Sequence, residues 1–411
     1  MRLSVRVKAT IVLTFAALAG CANSGGRPLL TIWHAWGGAE LTTLKGLIKA
    51  YQVEHPDIEL LALQIPHDRL LDKFTRSAAS NGGPDLLIGD NDWSGKLAES
   101  ELLAPVFDLS ENAASGSALF SSADAGRFPT EVLGALRVGQ KVFAWPESVE
   151  TVVLYYNRKL LPKPPVTVPE MLSAAAATKI PDGYGLAFNS SFYFFAGYFL
   201  GGGGHVFDPA GTLALNTPQG ARMLAWLGSL DSQAGVLVGN DYGKADSLYK
   251  QGKAAMILNG PWALADYRAV LGADLGVAAL PKLEDGRAPA PWIGVKCLMV
   301  NGNADVAARE RSADFLRWIA QSEQQLTLAD GAGHIPAVKD VQLPEDSPLR
   351  VFQAQVRTGT PKSADPKLAL VWGPMDRAIQ EVTVHGKPAA EALARAQQTV
   401  DAQLKAVQAN R

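Results

Sequence analysis

Apolar and polar residues along the first third of the chain follow two repeating patterns, which predict strands and helices in alternation. Residues 29–33 form a short apolar run typical of a buried strand. In residues 40–54 the apolar positions are three and four apart, which predicts an amphipathic helix. The same patterns predict a strand at 58–65, a helix at 69–79 and a strand at 85–89. Strands that alternate with covering helices favour a parallel sheet in an α/β fold.

The same order of elements recurs in the rest of the chain. The patterns predict strands at 141–145, 151–157, 254–259 and 292–300, and helices at 168–177, 217–234, 261–271 and 306–323. The tail, residues 368–408, is predicted to form two helices that break near Gly386. Residues 189–194 are interpreted as a loop after a further strand. The whole chain therefore fits one α/β architecture.

The N-terminus has the layout of an export signal. Three basic residues, Arg2, Arg6 and Lys8, precede the apolar stretch 9–18. That stretch is too short to span a bilayer and small residues follow it, so residues 1–20 are predicted to be a signal peptide. No second run of about 18 apolar residues occurs, so no transmembrane helix is expected after it.

The two cysteines have different predicted roles. Leu18-Ala19-Gly20-Cys21 resembles the bacterial lipobox, which implies cleavage before Cys21, a lipid on its sulfur and a polar tether over residues 21–28. The alternative is an ordinary signal peptide with an incidental cysteine. Cys297 lies in the apolar run 295–300 and is predicted to be a small buried side chain without a disulfide partner.

The composition of the chain argues against several classes of function. The chain has 411 residues, of which 47% are hydrophobic and 19% charged, with a formal net charge of -2. This length allows more than one domain, and the charge balance argues against a nucleic-acid partner. The glycine run 201–204 lacks the residues of a phosphate loop, and the six histidines are scattered. Neither a cofactor nor a metal site is predicted.

Several motifs occur in the order found in one known family. They are Gly83-Pro84-Asp85-Leu86-Leu87-Ile88, Phe143-Ala144-Trp145-Pro146, Leu154-Tyr155-Tyr156-Asn157, Asn259-Gly260-Pro261-Trp262 and Val371-Trp372. Together they resemble bacterial extracellular solute-binding protein family 1, which includes maltose-binding protein. Asn-Gly-Pro-Trp after a strand is the most specific of them. The resemblance extends from residue 29 to the C-terminus.

The resemblance implies a two-lobed periplasmic-binding-protein fold. Its two doubly wound sheets are joined by hinge strands, and the ligand cleft lies between them. The implied boundaries are 29–146 and 290–345 for lobe one, and 147–289 and 346–411 for lobe two. In such sheets ligands bind at the carboxyl ends of the strands.

The resemblance also implies a role in transport. The protein would be the substrate-binding component of an ABC importer. It would close its hinge on a sugar, either maltose, a maltodextrin or another oligosaccharide, and deliver it to the permease subunits. One alternative is a non-sugar solute such as a glycerol phosphate ester or a polyamine. Another is a carbohydrate-active enzyme such as a glycoside hydrolase, which needs two carboxylates flanking one bond.

Four candidate binding residues match sugar contacts of the family. A sugar needs aromatic surfaces for its C–H face and carboxylates or amides for its hydroxyls. The resemblance implies that Trp262 and Trp372 are stacking platforms, and that Asp92 and Glu150 accept hydrogen bonds from the sugar hydroxyls. The alternatives are a core position for Trp262, a helix N-cap for Asp92 and a solvated strand position for Glu150.

Five further candidates come from their places beside strand ends. Trp36 and Glu40 follow the first strand, where the sequence departs from the acid–lysine pair of maltose-binding protein, so maltose itself stays open. Trp93 stands beside Asp92 and is a candidate for stacking. Tyr193 either stacks on the sugar or packs in the core. Trp292 either lines the cleft or packs at the hinge.

Overall fold

The computed structural model describes residues 26–409, except for 111, 112 and 115. The predicted signal peptide and Cys21 therefore lie outside the described residues. The chain from residue 26 to residue 150 forms β1 (Leu29–His34), α1 (Gly38–Glu54), β2 (Glu59–Gln64), α2 (His67–Ala79), β3 (Leu86–Asp90), α3 (Asn91–Glu99), β4 (Phe107–Asp108), α4 (Ser122–Ala125), α5 (Thr130–Ala135), β5 (Arg137–Val138), β6 (Lys141–Val142) and β7 (Trp145–Glu150).

The middle of the chain continues the alternation of strands and helices. It forms β8 (Val153–Asn157), α6 (Val168–Ala177), β9 (Tyr184–Asn189), α7 (Phe192–Gly201), α8 (Pro218–Leu230), β10 (Val236–Gly239), α9 (Tyr242–Lys250), β11 (Ala254–Asn259), a 3₁₀ helix at Pro261–Ala263, α10 (Leu264–Leu271), a second 3₁₀ helix at Gly272–Asp274 and β12 (Leu275–Ala278).

The last part of the chain is mainly helical. It forms β13 (Trp292–Val300), α11 (Val306–Ile319), α12 (Ser322–Ala332), β14 (Ile335–Pro336), α13 (Leu349–Val356), β15 (Thr360–Pro361), a 3₁₀ helix at Pro366–Leu370, α14 (Trp372–Thr383) and α15 (Ala389–Ala409). Within the described part of the chain, no helix combines the length and apolar character needed to cross a membrane.

The first large sheet has the strand order β14-β7-β13-β3-β1-β2, with β15 paired to β13. β1 runs parallel to β2 and β3, whereas β13 runs antiparallel to β3 and β7. β3 and β7 therefore point the same way and end at the same edge of the sheet. In this register Lys296 of β13 lies opposite Asp90, the last residue of β3, and Gly294 lies opposite Glu150, the last residue of β7.

The second large sheet has the order β10-β9-β11-β8-β12. Its strands β9, β10 and β11 are parallel, and β8 and β12 are antiparallel to the strands beside them. The chain leaves β9 at Asn189 and β11 at Asn259, so the segments that follow these residues project from one edge. A small third sheet, β4-β6-β5, lies beside the first.

The chain crosses between the large sheets at more than one place. β7 belongs to the first sheet and β8 to the second, so the first crossing lies between Glu150 and Val153. The predicted lobe boundary between residues 146 and 147 falls inside β7. The strand predicted at 141–145 is in fact two, β6 and β7, and residues 143 and 144 separate them.

The helix predicted at 306–323 is wrong at its end. α11 stops at Ile319, and a separate helix, α12, begins at Ser322. The side chain of Arg127 donates a hydrogen bond to the Ala320 carbonyl, and that of Gln325 donates to the Ile319 carbonyl. These side chains satisfy the last carbonyls of α11, which ends the helix there.

The loop predicted at 189–194 is also wrong in part, because α7 begins at Phe192. The first turn of this helix has no side-chain cap from its own segment. Instead, the Phe192 amide donates a 2.7 Å hydrogen bond to Oδ1 of Asp376 on α14. A carboxylate from a distant helix thus takes the place of a local N-cap.

Candidate functional site

A cavity of about 790 Å³ lies between the ends of the two large sheets. This volume falls within the range usual for small-molecule sites. Segments that follow β1, β3 and β7 form one wall, and segments that follow β9, β10 and β11 form the other. Eight of the nine predicted binding residues line it: Trp36, Glu40, Asp92, Trp93, Glu150, Tyr193, Trp262 and Trp372.

The ninth candidate, Trp292, does not line the cavity. Only 2% of its surface is exposed, and its ring lies 6.1 Å from that of Trp372 and 6.3 Å from that of Phe192. It occupies the first position of β13 and packs into the core of the second lobe. Of the two roles considered for it, the geometry favours packing behind Trp372.

Trp93 and Trp36 border the cavity on the first-lobe wall, with 8% and 3% of their surfaces exposed. Trp93, in the first turn of α3, lies over Gly89, where a Cβ atom would come within 2.4 Å of the indole ring. Only glycine leaves room for the ring there. Trp36 lies between β1 and α1, and its ring meets the imidazole of His334 edge to face at 4.9 Å.

Trp262 and Tyr193 supply aromatic surface on the opposite wall. The indole of Trp262 lies against Gly260, where a Cβ atom would be 2.0 Å from a ring carbon. This close approach explains why glycine precedes Pro261 in the Asn-Gly-Pro-Trp motif. The Trp262 Nε1–H donates a 3.0 Å hydrogen bond to the Tyr242 hydroxyl, and the Tyr193 ring lies 6.1 Å away.

Asp92 connects the two walls. Its Oδ2 accepts a 3.1 Å hydrogen bond from the indole Nε1–H of Trp372, the first residue of α14. Its Oδ1 forms a 3.1 Å ion pair with Lys362, which is 3% exposed. Asp92 lies inside the first turn of α3 and makes no capping bond, because the N-cap position belongs to Asp90.

A second, partly buried ion pair lies beside it. Lys296 Nζ is 2.5 Å from Oδ1 of Asp90 and 3.7 Å from Oε2 of Glu150. Burial opposes the charge on Lys296, but Asp90 and Glu150 outweigh it and raise the pKa of the amine. Burial likewise opposes ionisation of Asp90, yet Lys296, Lys362 and His67 hold the pKa of this carboxyl well below its usual range. Lys296 and Asp90 are therefore both charged at neutral pH.

His334 lies between two acids. Its Nδ1 is 2.9 Å from Oε1 of Glu147, and its Nε2 is 3.0 Å from Oε1 of Glu40. Burial disfavours the imidazolium, but the charges and hydrogen bonds of Glu147 and Glu40 prevail and raise the pKa of His334 to about 10. Ser148 donates to the other oxygen of Glu147 at 2.7 Å, so that buried acid has partners on both oxygens.

Further acids line the second-lobe wall. Lys250 Nζ lies 3.0 Å from both Asp246 and Asp266. Asp376 also borders the cavity, and burial raises the pKa of its carboxyl. The cavity thus combines indole rings with carboxylates that are mostly paired to lysine or histidine. Among residues 26–409, apart from the three left undescribed, no group of histidine, cysteine, aspartate or glutamate side chains could hold a metal ion.

Comparison with known proteins identifies the family. The family model for bacterial extracellular solute-binding proteins matches residues 46–357, about three quarters of the chain. The chain belongs to this family. Its members bind solutes outside the cytoplasm, so the prediction of an exported protein is confirmed at that level. The family is defined by solute binding and not by catalysis.

Individual relatives extend this result to most of the chain. A maltotriose-binding protein of Pyrococcus abyssi is 28% identical over 375 residues, which is 87% of this chain and 78% of the relative. A galactooligosaccharide-binding protein of Bacillus subtilis is 25% identical over 381 residues, covering 88% of this chain and 87% of the relative.

Solved structures share the fold. The maltose/maltodextrin-binding domain of Bdellovibrio bacteriovorus bound to maltotriose superposes with a TM-score of 0.83, at 25% identity. The maltotriose-binding protein of Thermus thermophilus bound with maltotriose gives 0.81, at 27% identity. Each alignment covers 92% of this chain and all of the other. The predicted two-lobed periplasmic-binding-protein fold is thereby confirmed.

Many charged residues of the cavity of this solute-binding protein escaped the sequence reasoning. They include Lys296, Lys362 and His334, and the acids Asp90, Asp246, Asp266 and Asp376. Lys296 did carry a signal, because it is the single charged residue in the apolar run 295–300 and a buried strand lysine needs an acid. Nothing in the sequence around Lys362 or His334 indicates their partners. Lys362 pairs with Asp92, 270 residues earlier in the chain, and His334 pairs with Glu147, 187 residues earlier.

Proposed function

We propose that this chain is the substrate-binding component of an ABC importer and captures a maltodextrin-like oligosaccharide. The observation that carries the proposal is the arrangement of indole rings around one cavity. Trp36 and Trp93 border one wall with 3% and 8% of their surfaces exposed, and the more exposed Trp262 and Trp372 border the other. Flat rings on opposite walls suit the C–H faces of several sugar units in a row.

The charge pairing of the cavity supports an uncharged ligand. Lys296 and Lys362 already face Asp90 and Asp92, so neither amine is free to bind a phosphate. Each carboxylate oxygen of Asp90 and Asp92 can accept more than one hydrogen bond. Sugar hydroxyls can therefore still donate charge-assisted hydrogen bonds to them. A glycerol phosphate ester fits such a site poorly, because its phosphate would face a surplus of acids.

The named specificities of the relatives support the same ligand class. Maltotriose is named for the Pyrococcus abyssi and Thermus thermophilus proteins, and a galactooligosaccharide for one from Bacillus subtilis. We infer an oligosaccharide of about three units as the first ligand to test. Catalysis does not fit, since Asp90, Asp92 and Glu150 are held by lysines, and the pKa of Asp90 lies well below its usual range, the opposite of the raised pKa that a general acid requires.

Binding would proceed by hinge closure of the two lobes predicted as 29–146 with 290–345 and 147–289 with 346–411, except that all of β7, residues 145–150, goes with the first lobe because it pairs in the first sheet. Sugar would dock on the rings of one lobe and then contact those of the other. Contacts made only in the closed form shift the population toward that form. The permease subunits of the importer would then recognise the closed protein.

Membrane attachment through Cys21 is part of the proposal. A solute-binding lipoprotein of a maltooligosaccharide ABC transporter from Streptococcus pneumoniae is 26% identical over 293 residues, covering 65% of this chain and 63% of the relative. The lipobox-like Leu18-Ala19-Gly20-Cys21 supports acylation here. Cells that express the full chain should incorporate labelled palmitate into it, and Cys21→Ser should abolish the label. Equal labelling of both proteins would refute the anchor.

Titration calorimetry tests the ligand class. The purified chain should bind maltotriose or a galactooligosaccharide, and it should return the sugar unchanged after prolonged incubation. Glycerol 3-phosphate and spermidine serve as the anionic and cationic comparisons. Binding of either one without binding of any sugar would overturn the proposal, and cleaved sugar would restore the enzyme alternative.

A further inference from the structure

The imidazole of His334 stands where three elements of the first lobe meet. It follows Gly333, which ends α12 with a left-handed φ of 77°. Glu40 approaches from the first turn of α1, and Glu147 approaches from β7. The ring is 4% exposed, so water cannot replace either partner. Both nitrogens are engaged by carboxylate oxygens at 2.9 and 3.0 Å.

Two carboxylate partners fix the protonation of the ring. A neutral imidazole has one N–H and one lone pair, so it can donate to only one of two ionised carboxylates. The second nitrogen would then face an oxygen lone pair at hydrogen-bond distance. The doubly protonated ring donates to both acids, and it also neutralises one of the two carboxylate charges.

The partners of the ring differ in what they touch. Glu147 is buried, and Ser148 holds its other oxygen, so it is the fixed end of the chain of contacts. Glu40 lines the cavity and keeps 16% of its side chain exposed. Trp36 lines the cavity as well, and its indole rests against the imidazole. His334 therefore joins a rigid buried acid to two side chains at the cavity wall.

We propose that His334 is a positioning residue, which as a double hydrogen-bond donor holds Glu40 and the Trp36 ring in the orientation that receives the ligand. The inference rests on the proposed function of the cavity. Both ring nitrogens of His334 already contact carboxylates, so its proposed role is to orient other side chains and not to bind the sugar directly. The Glu147–His334–Glu40 series would act before any ligand arrives, since all its contacts lie within one lobe.

The first test needs no ligand. Nitrogen–proton NMR spectra of the histidine rings at pH 8 should give two ring N–H signals for His334, with the nitrogen shifts of an imidazolium. Glu40→Gln should shift one of the two signals. The spectrum of a single neutral tautomer at pH 8 would overturn the proposal, whether or not the chain binds sugar.

The second test measures binding. His334→Gln should weaken the Kd for maltotriose by about 10- to 100-fold, the range expected for losing a hydrogen bond to a charged group together with a fixed ring. His205→Gln removes an exposed histidine and should leave the Kd unchanged. Circular dichroism and thermal melts identify any variant that fails to fold.

A double-mutant cycle separates positioning from general destabilisation. If His334 acts through Glu40, the variant with both His334→Gln and Glu40→Gln should bind no more weakly than the weaker single variant. Fully additive losses would mean that His334 does not act through Glu40, and would refute the proposal. Absence of sugar binding in the unaltered chain would instead refute the proposed function, and the NMR result would still decide the state of His334.

Discussion

Truncation of Trp262 offers a direct test of the aromatic walls. The indole is partly exposed to the cavity, so a sugar can cover one face, roughly 60–100 Å² of the 150–250 Å² that a buried aromatic side chain contributes. At about 25 cal/mol per Å², that contact stabilises the complex by about 1.5–2.5 kcal/mol. Trp262→Ala should therefore weaken the Kd for maltotriose by about 10- to 70-fold.

Two controls make the calorimetry decisive. Tyr242→Phe removes the hydroxyl that accepts the hydrogen bond of Trp262 Nε1 but leaves the ring in place, and it should cost about 1 kcal/mol or less in binding. Trp226→Ala removes an indole that packs on Phe195 and Tyr198 away from the cavity, so it should lower stability and leave the Kd unchanged. An unchanged Kd for Trp262→Ala, or equal losses for Trp262→Ala and Trp226→Ala, would contradict the stacking role.

Three further predictions concern the groups around the cavity. Gly260→Ala places a methyl group 2.0 Å from the Trp262 ring, so it should displace the ring and weaken maltotriose binding in calorimetry. An unchanged affinity would show that sugar binding does not need the ring in this position. Lys296→Met leaves the partly buried Asp90 without its nearest cation, and urea unfolding should show a loss of about 1–3 kcal/mol, partly recovered by adding Asp90→Asn. The pKa of His334 is raised from 6.5 to about 10, so its stabilisation is complete below pH 6.5 and disappears as pH rises through 10. The difference in unfolding free energy between the natural chain and His334→Gln should narrow over that interval, and a constant difference would contradict the assignment.

The strands and most helices could be predicted because their signals are local. The apolar run at β13 and the spacing along α1 depend only on neighbouring residues. The beginning of α7 could not be predicted in the same way. Its first amide is satisfied by Asp376, 184 residues further along the chain, so the deciding interaction forms only when the tertiary structure forms.

The residues of the candidate site also differ in whether local sequence or a distant partner determines their position. Trp36 and Trp262 follow the carboxyl ends of β1 and β11, one strand in each large sheet, and ligands bind at such ends, so sequence order was enough to nominate them. Trp292 also stands at a strand end, the start of β13, but its ring packs in the core of the second lobe. Lys362 and His334 required knowledge of distant partners, which spacing along the chain does not contain.

The internal pairing of the cavity charges has a consequence for the conditions under which the protein works. Dissolved ions screen charges that face water, but they reach buried pairs such as Lys362–Asp92 only weakly. A ligand without charge has no electrostatic attraction for those ions to weaken either. The affinity of this cavity for an uncharged sugar should therefore change little between low and high salt concentrations.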